Sequence, residues 1–261
     1  MLRVLRALCG VTTFLVAAAG CSFPPAFRHE TAPLERSIAF EGCRQFETKL
    51  SNGTIKIQGW NQPTASISTK VWAQAYSAQS ARQLAESTKV DLKRTGETVI
   101  LEYVPAVSLI SNEKTGVDVT VHLPADAATR AESEFGNVAA SNLSGRIDMH
   151  SSYKNITLAE PRGPAQCVTT YGNIKVTGAR GELACKSDYG NIDLIGAQGP
   201  VKGETEFGNI TISDAQGPVN CSTSYGDVTA SIGWGGLNSP GIDLRTTFGS
   251  IKLRMSPAKD R

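Results

Sequence analysis

From residue 135 to residue 251, apolar and polar positions recur on an 18-residue period. The phrase is aromatic, Gly, Asn, then Ile or Val: Phe135-Gly136-Asn137-Val138, Tyr171-Gly172-Asn173-Ile174, Tyr189-Gly190-Asn191-Ile192 and Phe207-Gly208-Asn209-Ile210. Tyr153-Lys154-Asn155-Ile156 and Tyr225-Gly226-Asp227-Val228 are near copies, and Phe248-Gly249-Ser250-Ile251 closes the series after a longer step of 23. Within one unit, residues 165, 167, 169 and 171 fall on one side of a strand, because side chains alternate. Down the units these positions hold Ile147, Ala165, Leu183, Val201 and Val219, then Met149, Cys167, Cys185, Gly203 and Cys221, then Ser151, Thr169, Ser187, Thr205 and Thr223. Carrying the alternation one step further places the aromatic column inside as well. After Gly-Asn, Ile174 and Val176 have counterparts in Ile192 and Leu194, and in Ile210 and Ile212. Each unit therefore predicts two short strands and two corners. One corner is Gly-Asn, where glycine would supply a positive φ. The other is of the Ala-Gln-Gly-Pro or Ala-Arg-Gly type.

A strict short period is the mark of a stacked architecture, in which no unit buries its apolar face alone. The expected fold is mainly β: a parallel β-solenoid of about seven 18-residue rungs, about 34 Å long at the usual strand spacing. The recurring Asn (137, 155, 173, 191, 209) predicts a side-chain ladder along one edge.

The pattern changes upstream. Residues 53–57 and 65–71 alternate with period two, Ser77 to Ser87 carries an apolar stripe at helical spacing, and 90–92, 98–103 and 117–123 read as further strands. This gives a small strand-helix-strand subdomain over 37–124 that caps the solenoid of 125–256. An uncovered last rung would expose unpaired backbone groups. Residues 257–261 form a tail.

The period, the Tyr/Phe-Gly-Asn-Ile phrase and the Val117-Asp118-Val119-Thr120-Val121-His122-Leu123-Pro124 strand resemble the bacterial putative-adhesin family of β-strand-repeat envelope proteins. The resemblance covers roughly Ser37 to Leu253. It implies a β-solenoid with an adhesive or envelope role. Many members carry Ser-Gly-Asp where this chain has aromatic-Gly-Asn, so a shared ligand does not follow.

The N-terminus adds localisation. Arg3 and Arg6 precede an apolar run of 14 residues, Ala7 to Gly20, too short to span a bilayer comfortably but suited to a signal-peptide core. Residues 1–20 read as that signal. Ala18-Ala19-Gly20-Cys21 resembles the bacterial lipobox, which implies lipid attachment at Cys21. The lipobox favours Leu where this chain has Ala18, and ordinary cleavage after Ala17-Ala18-Ala19 is the competing outcome. Ser22, rather than Asp, after the cysteine implies the outer membrane by analogy with enteric bacteria. Residues 21–36, with Pro24, Pro25 and Pro33, read either as an extended Pro-containing tether or as a leader with no spacing role.

Composition narrows the function classes. The whole chain has 26 basic and 24 acidic residues, and the two arginines of the signal account for the difference. No basic stripe suits nucleic acid. Six cysteines include Cys9 and Cys21; Cys167 and Cys185 stand in one inward column on neighbouring rungs, readable as core thiols or, in an oxidising compartment, as a disulfide. Cys43 has no evident partner. His29, His122 and His150 are scattered, with no Cys-x-x-Cys, so neither a metal nor a cofactor is expected. Asp188 and Glu206 share a column at a spacing that suits a glycosidase pair, but Lys186 and Lys202 stand nearby and surface charge is the simpler account. The five-residue insertion before Phe248 carries Trp234 and Asn238, a candidate binding loop or a fold-back over the last rungs.

The function expected is a non-enzymatic, envelope-anchored lipoprotein. It would act as an adhesin or cell-envelope interaction protein, held to the membrane by lipid and contacting a surface glycan or an envelope protein. The alternatives are a polysaccharide-active enzyme on a parallel β-helix and a structural spacer.

Overall fold

A computed structural model describes residues 27–257 except 107, 109, 111 and 235–240. The signal segment, Cys21 and Asn238 lie outside the described residues. The first half of the chain forms β1 (Phe27–Glu30), β2 (Leu34–Ala39), β3 (Gln45–Leu50), β4 (Ile55–Trp60), β5 (Thr64–Ala75), α1 (Ala78–Ser87), β6 (Lys89–Thr95), β7 (Thr98–Val104) and β8 (Lys114–Pro124). The repeats follow as strand pairs: β9 (Ala128–Ser133) and β10 (Val138–Ser141), β11 (Ile147–Ser151) and β12 (Ile156–Ala159), β13 (Ala165–Thr169) and β14 (Ile174–Thr177), β15 (Leu183–Ser187) and β16 (Ile192–Ile195). The last three pairs are β17 (Val201–Thr205) and β18 (Ile210–Ala215), β19 (Val219–Tyr225) and β20 (Val228–Trp234), β21 (Ile242–Phe248) and β22 (Ile251–Pro257).

The two strands of each pair enter different sheets. Odd-numbered strands β9 to β21 stack in parallel in a 10-stranded sheet; even-numbered strands β10 to β22 do so in a 12-stranded sheet. Long sheets of parallel strands are the arrangement of a β-helix or solenoid. The register follows the sequence period, with Ile174 opposite Ile156 and Ile192, and Cys167 opposite Cys185. Between the sheets lies one continuous core, in which Ile147, Met149, Ile156, Leu158, Ile174 and Ile192 are almost fully buried.

The upstream segment does more than cover an end. β3 and β4 pair in parallel with β9 and β10, and β7 and β8 pair in parallel with β3 and β4 on their far side. β5 and β6 then flank β8 and β7 in the antiparallel sense. Residues 27–30 and 34–39 form β1 and β2, both paired antiparallel with β5, and Pro33 stands between them, outside either strand. α1 starts at Ser77, whose hydroxyl accepts the Ser80 N–H at 3.0 Å, and buries Ala81 and Ala85.

The opposite end differs. β21 and β22 are the last strands of their sheets, and Ile251, Leu253 and Met255 there are exposed, though their register partners Val228, Ala230 and Ile232 are buried.

Candidate functional site

The site is built at the corner between the two strands of each pair. The inward Ser/Thr column supplies a hydroxyl with two tasks. In the rung of 187–190, the Gly190 N–H donates to Ser187 Oγ at 2.9 Å, and that hydroxyl donates to the Gly172 carbonyl of the preceding rung at 3.0 Å. The same hydroxyl-to-carbonyl bond recurs at Ser133, Ser151, Thr169, Thr205, Thr223 and Thr246. At Ser151 and Thr169, as at Ser187, the N–H three residues on also donates to the hydroxyl, and a side chain bonding its own backbone in this way bends the chain out of the strand. Two consecutive residues then point outward, Asp188 and Tyr189 for example, before Gly190 turns back in.

That bend overturns the inward placement of the aromatic column. The rings at 135, 153, 171, 189, 207, 225 and 248 are 43–63% exposed. They form one ladder, with neighbouring centroids 4.7–5.1 Å apart and ring planes within 4–11° of parallel. Alternation holds only while a strand lasts, and at the rings from 135 to 207 the strand has ended two residues earlier. Glycine also has a different reason here than a positive φ. A Cβ at Gly190 would lie 1.7 Å from the Gly172 carbonyl oxygen, and one at Gly208 would lie 2.1 Å from that of Gly190. Left-handed backbone belongs to the other corner, in the column Asn142, Glu160, Gly178, Gly196 and Asp214, with φ from 51° to 68°.

Each side of the ring ladder is lined by a polar row. On one side, the Asn column forms the expected ladder through the backbone: Asn137 Oδ1 accepts from the Asn155 N–H at 3.1 Å, and the pattern repeats through Asn155, Asn173, Asn191 and Asn209. Asp227 continues it, accepting from Ser250 N–H at 2.8 Å. The Asn side-chain N–H groups have no partner among the described residues and remain available as donors. On the other side stand Glu134, Ser152, Thr170, Asp188, Glu206, Ser224 and Thr247, each one residue before its ring.

Beside the first three rings, the outer surface of the 10-stranded sheet is hollowed into an open groove of about 990 Å³. It crosses β7, β3, β9, β11 and β13, which are neighbours in that sheet, so it runs along the stacking direction. Its lining includes Lys49, Glu102, Glu132, His150, Val168 and Thr170. The two cations nearest its floor are engaged: Lys49 Nζ lies 3.1 Å and Arg130 2.7 Å from Glu132. Partial burial of the Glu132 carboxyl opposes its ionisation, but hydrogen bonds from Arg130 and Lys49 outweigh this and hold it below the usual carboxylate range. Glu134, His150, Ser152 and Thr170 have no side-chain hydrogen-bond partner among the described residues.

The paired carboxylates noted in the sequence do stand on adjacent rungs, where the Glu206 N–H donates to the Asp188 carbonyl at 3.2 Å. Neither lines the groove. Trp234 ends β20, and residues 235–240 of the candidate loop, Asn238 among them, lie outside the described residues. Cys167, Cys185 and Cys221 are free thiols in the core, and Cys43 is a half-buried free thiol packed against it. A hydrogen bond with Cys167 and burial raise the Cys185 thiol well above its ordinary value, and burial pushes that of Cys221 up to about 12. No group of His, Cys, Asp and Glu suited to a metal ion occurs among the described residues.

No protein-family model matches this sequence, and no curated protein matches it. Solved structures do resemble the fold. A protein described as a putative adhesin from Bacteroides fragilis aligns with a TM-score of 0.54 at 14% identity, covering 89% of this chain and all of the other. A putative cell adhesion protein from Clostridium sporogenes aligns at 10% identity and a TM-score of 0.30, over 86% of this chain and all of the other. A putative adhesin from Parabacteroides merdae does so at 10% and 0.28, over 85% of this chain and 95% of the other. At these identities the likeness is one of fold.

Proposed function

We propose that this chain is a non-enzymatic, envelope-anchored lipoprotein that works as an adhesin-like binding module, with the aromatic ladder and its polar borders as the contact surface. The observation that carries this reading is the ladder itself. Seven rings in one unbroken exposed row form an apolar surface of the kind that marks an interaction site on a soluble fold. Stacking alone does not require it. Each stacked pair contributes about 0.5–1.5 kcal/mol beyond burial, yet the core beneath is already continuous. The B. fragilis neighbour, described as a putative adhesin, supports the same direction through its fold.

On this reading the repeat strands make seven rungs, β3/β4 and β7/β8 extend them, and β5, β6 and α1 close that end. Cys21 carries the lipid and Ser22 favours the outer membrane. An enzyme reading finds less support: Glu132 is tied into two ion pairs and held ionised, the opposite of what a general acid needs.

Two measurements test the proposal. Beads coated with the protein should adhere to envelope material, and replacing Tyr153, Tyr171 and Tyr189 together by Ser should abolish adhesion while far-UV circular dichroism is preserved. Undiminished adhesion by the triple variant would sink the ladder as contact surface. Labelled palmitate should enter the native chain and not Cys21→Ser; label in both would remove the lipid anchor.

A further inference from the structure

We infer that the ladder and the groove beside it are the seat of an extended, uncharged β-1,4-linked glycan lying parallel to the stacking axis. The inference rests on the adhesin reading above and names its ligand class.

The first ground is repeat. The rings recur every 4.7–5.1 Å. An extended β-1,4-linked hexopyranose chain advances by nearly the same interval per sugar, so one sugar meets one ring along the row. A peptide laid along the same axis advances about 3.3 Å per residue and falls out of step at once.

The second ground is hydrogen bonding. The side-chain N–H groups of Asn137, Asn155 and Asn173, unpartnered among the described residues, border the rings on one side. Glu134, Ser152 and Thr170 border them on the other, and these three also line the groove. A chain with equatorial hydroxyls along both edges can donate to one row and accept from the other. The rings contribute their edges, since neighbours cover their faces. Ring edges are electropositive and suit hydroxyl and ring oxygens.

The third ground is charge. Glu47 and Glu134 line the groove with no cation paired to them among the described residues, whereas Glu102 is paired with Lys93 and Glu132 with both Lys49 and Arg130. An anionic polymer would meet uncompensated carboxylates there, and an uncharged one does not.

The test uses the full chain in mild detergent, titrated with cello-oligosaccharides and chito-oligosaccharides of two to six units. Affinity should rise at least tenfold from dimer to hexamer in one series or both, and the two series distinguish a glucan from an N-acetylglucosamine polymer. Tyr153→Ala with Tyr171→Ala, beside the groove, should lose at least tenfold. Leu34→Ala with Ile195→Ala, a double lesion of exposed apolar side chains outside both the ladder and the groove, should stay within about threefold. Circular dichroism checks that all variants fold. Equal loss in both variants overturns the groove as the seat, and affinity independent of length overturns the axial track. If neither series binds while the beads still adhere through the ladder, the glycan is overturned, the adhesin reading stands, and the partner is a protein.

Discussion

At the scale of single residues, the corner is held by groups whose neighbours lie on the next rung. Asn191 shows this: its Oδ1 accepts the Asn209 N–H at 2.8 Å, and its own N–H donates to Asn173 Oδ1 at 2.8 Å. Asn191→Ala removes an acceptor from a backbone N–H and should cost about 0.5–1.5 kcal/mol in denaturant unfolding. Asn191→Asp should be close to neutral, since Asp227 fills the same place in its own rung. Equal losses in the two variants would argue that the acceptor oxygen is not what matters. Gly190 is a sharper case. A Cβ there would collide with the Gly172 carbonyl at 1.7 Å, and backbone cannot rotate away as a side chain can. Gly190→Ala should lower stability by about 1–3 kcal/mol or more, the range of overpacking. Gly241→Ala is the control, because a Cβ at Gly241 meets nothing within 4 Å.

At the scale of elements, the strands β13, β15 and β19 carry Cys167, Cys185 and Cys221 inward in one column, with Gly203 of β17 between the last two. The nucleophile in thiol labelling is the thiolate. With Cys221 pushed up to about 12, and Cys185 raised by its hydrogen bond to Cys167 and by burial, neither ionises appreciably at pH 8. In native protein a maleimide should react first at Cys43, the half-buried thiol, and reach 185 and 221 only as denaturant opens the sheets. Peptide mapping after labelling reads this directly, and rapid native labelling at Cys221 would mean that the column is not closed. Upstream, part of the fold was legible beforehand: α1 and strands β4 to β8 fall close to the segments their apolar spacing marks, whereas β1, β2 and β3 were not marked. Spacing did not show that the aromatic leaves the strand. That depends on the Ser/Thr hydroxyl, which bonds a carbonyl of the preceding rung at every corner, a contact that spacing along one strand does not reveal.

At the scale of the molecule, the two ends of the stack are unlike. Antiparallel strands flank one end, whereas β21 and β22 are the last strands of their sheets at the other. In a stack stabilised by nearest-neighbour contacts, openings spread from the less supported end. Amide hydrogen exchange should therefore be slowest in β13 to β18 and at least a hundredfold faster in β22. Protection of β22 equal to that of β16 would mean that a partner covers this edge.

The sequence by itself determined the repeat, the pairing of like residues on successive rungs, and which aliphatic columns make the core. A strict period in a parallel stack leaves those features no freedom, since shifting the register by one residue would turn the core outward. Tertiary structure alone decided the groove and the exposure of the ladder. The groove joins β7 and β3 to β9, β11 and β13, and β7 stacks beyond β3 although it follows it in the chain. No local pattern carries that order. The ladder's exposure likewise turns on a hydrogen bond between each rung and the one before it, which exists only once the rungs are stacked.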